Sequence, residues 1–398
     1  MKQFCIFFCL FGLFLLVGCD AYKRVRPTNY ASEYAMETEK ETIRVKAWHS
    51  SRDSSTIFVE MPKMALANYD NFVVNIDVTD STNAIIDTAL LILHKDDFSQ
   101  RIFAHTVEAA SGQNHSLNVN IKTEDKKYVF RKKITLWRET DFTEQHFILQ
   151  NKKTKAVIFD SYISVPTTVN VLYNGIDAID YKLNYTTTDT LLPPPPFSEK
   201  KVQTKLLPTN YQPISKDIFL DKKGFYTLQM QLNNKKHSIE LLGVNDDYPK
   251  LTAADDLLRT LRFITKKSEY ESLMNAPNQR KAIDAFWLEK AGSYERGKVL
   301  IKSFYGRIQK ANKLYTHRQH GWMTDRGLIY IIYGPPYAVY RQEKTETWTY
   351  ANATDSGDLA FYFDQQIDNS FRLQRSHLYK ESWDYMVFTW RNGIVAKW

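Results

Sequence analysis

The sequence predicts a multidomain, mainly β protein. N-terminal β-sandwich-like modules precede a C-terminal α+β domain whose helices pack on a small antiparallel sheet. Three observations lead there. Through residues 41–247 apolar and polar residues alternate at period two. From about 248 the apolar spacing changes to three and four. Aromatic residues make up 14% of the 398, and such rings favour sheets. The length allows two or three domains. At 43% hydrophobic and 25% charged, the composition excludes a disordered tail and a polytopic membrane protein.

The first element is an address. An apolar run from Phe4 to Val17 follows Lys2 and ends in Leu16-Val17-Gly18-Cys19. It is too short to span a bilayer and fits a signal-peptide core. The ending resembles a bacterial lipobox, in which the cysteine is lipidated and the segment before it removed. Residues 1–18 are therefore read as a lipoprotein signal peptide and Cys19 as the lipidation site. All three cysteines, Cys5, Cys9 and Cys19, fall in this region. The mature chain would hold no disulfide, no thiolate metal site and no cysteine nucleophile. Lys23, Arg24 and Arg26 would favour anionic headgroups. One acid, Asp20, follows Cys19, which points to an outer-membrane anchor facing the periplasm, with the cell surface as the alternative.

Residues 19–40 read as a polar tether and 41–165 as a β-sandwich module. Ile43, Val45 and Ala47 alternate, as do Phe72, Val74, Ile76 and Val78, then Leu117, Val119 and Ile121, then Val157 and Phe159. Residues 166–247 read as a second β module. Its clearest strand carries Tyr226, Leu228, Met230 and Leu232, with a turn at Asn233-Asn234. The run Pro193-Pro194-Pro195-Pro196 cannot lie in a central strand and is expected to be a stiff loop.

Residues 248–398 read as the α+β domain. Thr252 with Asp255 suggests one helix start, Ser268 with Glu271 a second, and Asn278 a third that stops at Gly292. A fourth helix over about 295–318 carries Leu300, Phe304, Ile308, Ala311 and Tyr315 as its apolar stripe. Strands are expected at 328–333, 347–350, 359–363 and 371–375, in an antiparallel meander. A last helix uses Trp383, Met386, Val387 and Trp390, and Gly393 ends it.

Between helix and sheet stands Gly321-Trp322-Met323-Thr324-Asp325-Arg326-Gly327, followed by Gly334-Pro335-Pro336. The segment resembles the GWxTD domain family, together with Ala285-Phe286-Trp287 before it and Glu346-Thr347-Trp348-Thr349-Tyr350 after it. The resemblance covers roughly 250–398. It implies a lipoprotein of Bacteroidetes-type bacteria and brings no biochemical activity with it. In the family Pro-Pro is often followed by an acid; here Tyr337 stands there.

Read from the residues alone, the motif is mainly structural. Gly321 would end a helix in the left-handed conformation, Trp322 would lock helix to sheet, and Thr324 and Asp325 would cap the turn. Gly327 would supply positive φ before a strand that Gly334, Pro335 and Pro336 end. The alternative is that Asp325 and Arg326 face a groove and bind a ligand.

The sequence carries no Gly-x-Ser-x-Gly elbow, His-Glu-x-x-His pair, Walker loop or dinucleotide fingerprint. His317 and His320, with Asp325, could hold a metal, but two histidines at a basic helix end read better as solvated surface. No catalytic residue, metal or cofactor is assigned. Charge says more. Residues 280–318 carry ten Lys and Arg against three Asp and Glu. A basic helical face, with Lys302, Lys310 and Lys313 as candidate contacts, would dock an acidic envelope protein or an anionic surface. Export makes nucleic acid an unsuitable partner. The expected function is a membrane-anchored, non-enzymatic binding or scaffold protein. The alternatives are a carbohydrate- or peptide-binding lipoprotein and a hydrolase with an unrecognised site.

Overall fold

A computed structural model describes residues 28–395 except 35–42, 52–53, 63–71, 80–84, 91, 97–99, 109–114, 124–127, 137–143, 174–178, 189–190, 200–209, 233 and 351–357. Residues 1–27, which hold the expected signal peptide and Cys19, lie outside the described residues.

The first β module is a sandwich of two four-stranded sheets. One runs β1 (Arg44–Trp48), β2 (Ser54–Pro62), β6 (Gln100–Glu108), β5 (Ile92–Asp96); the other runs β4 (Ile85–Leu90), β3 (Phe72–Thr79), β7 (His115–Thr123), β8 (Tyr128–Leu136). Period two explains the core. Ile57, Val59 and Met61 on β2 face Val74, Ile76, Leu117, Val119 and Ile121 of the opposite sheet.

In the second β module, β14 (Asp217–Leu220), β11 (Thr167–Tyr173) and β9 (Phe147–Asn151) form one sheet. The other runs β10 (Tyr162–Ser164), β16 (Lys235–Val244), β15 (Gly224–Leu232), β12 (Asp180–Thr186), β13 (Gln212–Ile214). Tyr226, Leu228 and Met230 of β15 pack on Val169 and Val171 of β11, as their alternation requires. β9 precedes Val165-Pro166 yet pairs with β11 across it, from Phe147 opposite Tyr173 to Asn151 opposite Val169. Val157 makes an isolated bridge to Gln150 rather than a strand of its own. Phe58 and Ile102 of the first module meet Ile148 and Val157 of the second. Arg44 binds Asp160 across the same junction and Glu60 within its own sheet.

The C-terminal part is α+β. Its helices are α1 (Ala254–Thr260), α2 (Lys267–Met274), α3 (Gln279–Ala291), α4 (Tyr294–Tyr315), α5 (Asp325–Tyr333) and α6 (Lys380–Arg391). They pack on one face of the meander β17 (Ala338–Gln342), β18 (Thr345–Tyr350), β19 (Leu359–Gln365), β20 (Phe371–Leu373). The α4 stripe Leu300, Phe304, Ile308, Ala311 and Tyr315 is buried as its spacing required. Asn278 caps α3, accepting from the Lys281 amide at 3.0 Å, and Gly292 ends it at φ +69°. Ser293 caps α4. Trp383, Met386 and Trp390 of α6 are buried, and Gly393 at φ +71° follows its end.

Four local readings are corrected. Residues 328–333 form helix, not strand. Leu328, Ile329, Tyr330, Ile331, Ile332 and Tyr333 are all buried because α5 is surrounded on every side. A fully apolar run loses the helical period that would have identified it. Thr252 does not cap α1: its hydroxyl goes to Asp247, and α1 starts after Ala253. At α2 the N-terminal pairing lies two positions earlier, where the Lys266 amide donates to Glu269 at 2.9 Å. Residues 28–34 are not a free tether. The Tyr34 side chain lies in the C-terminal core, 4% exposed, and the Tyr330 hydroxyl donates to the Tyr34 carbonyl at 2.7 Å.

The proline run is a loop, as expected, and it bridges modules. Leu192 and Phe197 pack on the C-terminal core. Arg375 donates to the Pro194 carbonyl at 3.0 Å, and the Ser376 amide to that of Pro196 at 3.1 Å. Elsewhere on this junction the Ser161 hydroxyl donates to the Thr316 carbonyl at 2.6 Å, and Arg318 pairs with Glu240 at 2.8 Å.

Candidate functional site

The segment 321–336 is buried along most of its length in the C-terminal core. A short turn, Gly321–Met323, crosses α4 and leads into α5. Neither Gly321 nor Gly327 has positive φ, contrary to expectation; both are glycine because backbone meets backbone there. A Cβ on Gly321 would lie 2.0 Å from the Ala311 carbonyl oxygen. A Cβ on Gly327 would lie 2.0 Å from the Gly321 carbonyl oxygen. The two glycines thus stack the first turn of α5 on the turn and the turn on α4. Gly334 alone among the motif glycines has positive φ, +90°, and it ends α5 rather than a strand. Pro335 and Pro336 then separate α5 from β17, and Tyr337 points to solvent.

The side chains of Thr324, Asp325 and Arg326 each meet a partner inside the fold. Asn312 of α4 accepts from the Trp322 amide at 3.1 Å, and Thr316 accepts from the Gly321 amide at 3.0 Å. Thr324 is the N-cap of α5, accepting from the Gly327 amide at 3.0 Å and donating to the Gly321 carbonyl at 2.7 Å. Trp322 is 1% exposed, edge-on to Phe263, with Arg259 over its face. Asp325 does not cap the turn. Its carboxylate accepts from Arg375 at 2.5 and 3.1 Å and from the Leu373 amide at 2.9 Å. It thereby joins α5 to β20, and through Arg375 to the proline loop.

Arg326 lies between the Phe371 ring at 4.1 Å and the Tyr315 ring at 5.0 Å. It pairs with Glu346 at 3.5 Å. Glu346, at the head of the Glu346–Tyr350 segment, was given no site role by sequence reasoning. It is 2% exposed and also accepts from Arg341 at 3.0 Å, the Trp348 indole at 2.7 Å and the Tyr34 hydroxyl at 3.0 Å. Burial pushes its carboxyl up, but Arg326, Trp348 and Arg341 outweigh that and hold it below its ordinary value. Burial and the neighbouring Glu346 push the Tyr34 phenol up to about 12. A Glu two positions before a core Trp on a strand was the available signal, since both side chains then face inward. In the place of the alternative groove, Asp325 and Arg326 are packed against Arg375, Glu346 and two rings.

The basic helical face carries less free charge than its residue count suggests. Arg307 is 5% exposed; it donates to the Ile331 and Ile332 carbonyls at 3.1 and 3.0 Å and sits beneath Gly334. There it closes the negative end of α5, and burial pushes its guanidinium down to about 10. Lys290 pairs with Glu289 and Glu269, and Arg318 with Glu240 and Asp368. Lys302 and Lys313 remain exposed, whereas Lys310 is half-buried. His317 binds Glu240 at 2.8 Å, His320 packs on the Tyr248 ring and Asp325 binds Arg375, so this trio does not converge on a metal.

A cleft of about 620 Å³ lies where both β modules meet the C-terminal domain; Phe147, Phe159, His237, Glu240, His317 and Asp368 are among its walls.

Residues 224–392 match the GWxTD domain. The match opens at the first residue of β15, so the β15–β16 hairpin that carries Glu240 belongs to the matched stretch. No curated protein matches the sequence. Among solved structures, trypsin-activated alpha-2-macroglobulin from Escherichia coli aligns over 52% of this chain and 17% of that one. Identity is 10% and the TM-score 0.18, so nothing about this chain follows from it.

Proposed function

We propose that this chain is a lipid-anchored lipoprotein of the bacterial outer membrane, facing the periplasm, and that its GWxTD domain is a non-catalytic scaffold for an envelope partner. One observation carries the reading: the polar side chains of the GWxTD motif are committed to the fold. Thr324 caps α5, Asp325 holds Arg375 and Arg326 holds Glu346. Among the described residues, the perturbed carboxylates of the matched stretch, Glu240, Glu269, Glu346 and Asp368, are held low, and in each case a neighbouring arginine contributes. A general acid working near neutral pH needs the opposite shift.

The partner surface is the exposed part of α3 and α4, an acidic protein or anionic surface being its complement. Reversing Lys302, Lys310 and Lys313 to Glu should weaken co-purification from crosslinked membranes while leaving melting unchanged within about 1 kcal/mol. Raising salt should weaken the wild-type interaction, because screening shortens below ~8 Å beyond physiological strength. Co-purification indifferent to both would remove this surface from the account.

The junction cleft favours a second reading, a carbohydrate- or peptide-binding lipoprotein. Its size and its mix of rings and polar groups suit a small extended ligand. Saturable binding of a glycan or peptide, lost in Phe159→Ala, would favour it over a pure scaffold.

A further inference from the structure

Residues 29–34 are fastened along the β17 edge of the C-terminal sheet. The Val339 amide donates to the Asn29 side chain at 2.9 Å, and the Tyr30 amide donates to the Val339 carbonyl at 2.9 Å. Glu33 pairs with Arg341 at 2.8 Å, and the Arg341 guanidinium lies 4.5 Å from the centre of the Tyr30 ring. Tyr34 closes the clasp in the core. The β modules meet the domain elsewhere. In the order β17-β18-β19-β20 the clasp holds one edge, while the proline loop binds Arg375 and Ser376 just beyond β20. The cleft shared with both β modules is walled by Ile367, Asp368 and Asn369, between β19 and β20.

The clasp changes the reach of an anchored chain. Thr28 stands nine positions after Cys19, a span of at most about 32 Å fully extended. Were the chain free up to Ile43, the first residue before β1, the limit would be about 86 Å and no domain would be favoured.

We propose that the GWxTD domain is the membrane-proximal body of the protein, its β17 edge held toward the lipid surface by residues 29–34 and the β modules lying farther out. The inference rests on the lipid anchor at Cys19. The surface faced is the headgroup layer of the anchoring leaflet, and Lys23, Arg24 and Arg26 in the connecting stretch suit anionic headgroups.

The test uses the full lipidated chain in vesicles of phosphatidylethanolamine and phosphatidylglycerol carrying an energy acceptor on the headgroups. Single cysteines placed by Tyr337→Cys, beside the clasp, and Phe219→Cys, on β14, carry the donor; both positions are exposed. Transfer should be at least twofold greater from position 337. Adding Asn29→Ala and Glu33→Ala, both surface positions, should narrow the difference. Equal transfer, greater transfer from 219, or a difference untouched by the clasp variant would overturn the proposal. Vesicle retention is read in the same samples. Loss of retention for every sample would overturn the Cys19 anchor, and this orientation with it, whereas retention with the wrong transfer pattern overturns the orientation alone.

Discussion

The Tyr34 hydroxyl donates to the Glu346 carboxylate at 3.0 Å, across 312 positions of sequence. The contact joins the start of the described chain to the middle of its last sheet, and it completes a buried cluster in which one carboxylate faces Arg326 and Arg341. Removing the carboxylate charge would leave those two arginines side by side. Glu346→Gln should therefore cost roughly 3–5 kcal/mol, the range for breaking a buried pair from one side. Tyr34→Phe, which deletes both this bond and the one the hydroxyl accepts from Arg341 at 2.6 Å, should cost about 2 kcal/mol. Urea unfolding of the full chain measures both, and a Glu346→Gln protein as stable as wild type would contradict the cluster.

Gly321 and Gly327 are required by contact rather than by φ. Alanine at either should destabilise the domain by roughly 3 kcal/mol or more, since backbone atoms must move to admit a methyl. Gly292 provides the contrast: its φ is +69° and a Cβ there would meet nothing within 4 Å. Gly292→Ala should cost only about 1 kcal/mol of backbone strain. Thermal melting of the three variants distinguishes contact from conformation, and equal losses at all three would reject the stacking.

Asp325 supports β20 and, through Arg375, the proline loop. Asp325→Asn should weaken both attachments and cost about 2–4 kcal/mol, as loss of one partner in a nearly dry pair does. Limited proteolysis should then cut within residues 191–199 faster than in wild type. Unchanged cutting alongside lowered stability would separate the loop from the ion pair.

Glu269 makes a pH prediction. Arg391 donates to it at 2.6 and 2.9 Å, and these bonds above all hold its carboxyl down to about 2. A carboxyl held lower in the folded state than in the unfolded one stabilises the fold above the unfolded value, ~4.3 for Glu. That contribution is lost as pH falls from there toward 2. Glu269→Gln should lower stability by about 1–2 kcal/mol at pH 7, with the gap closing below pH 4. Urea melts of both proteins at pH 7, 4 and 3 check it. A gap constant with pH would mean that the carboxylate charge is not what joins α2 to α6.

The sandwich strands and the amphipathic helices α3, α4 and α6 were legible in the sequence because one face of each is wet. Val74 and Ile76, or Leu300 and Phe304, stand out only against polar neighbours. Where both faces are dry the period disappears, and Leu328–Tyr333 therefore looked like a strand. The site was half legible. Gly321 and Trp322 announced a tightly packed join, and Thr324 its cap. Arg375 and Glu346 were not visible as partners, since pairs 50 and 20 residues apart leave no local spacing rule between them. Tyr34 was hidden for the same reason: a short polar stretch gives no sign that a distant sheet edge will bind it.

The lipid anchor tests the central claim most directly. Cells expressing the wild-type chain or Cys19→Ala are fed a fatty-acid analogue, and the protein is recovered from membrane and soluble fractions. The account predicts label on the wild-type protein in the membrane fraction, and none on Cys19→Ala, which should be an uncleaved or soluble precursor. Equal label on both proteins would contradict it.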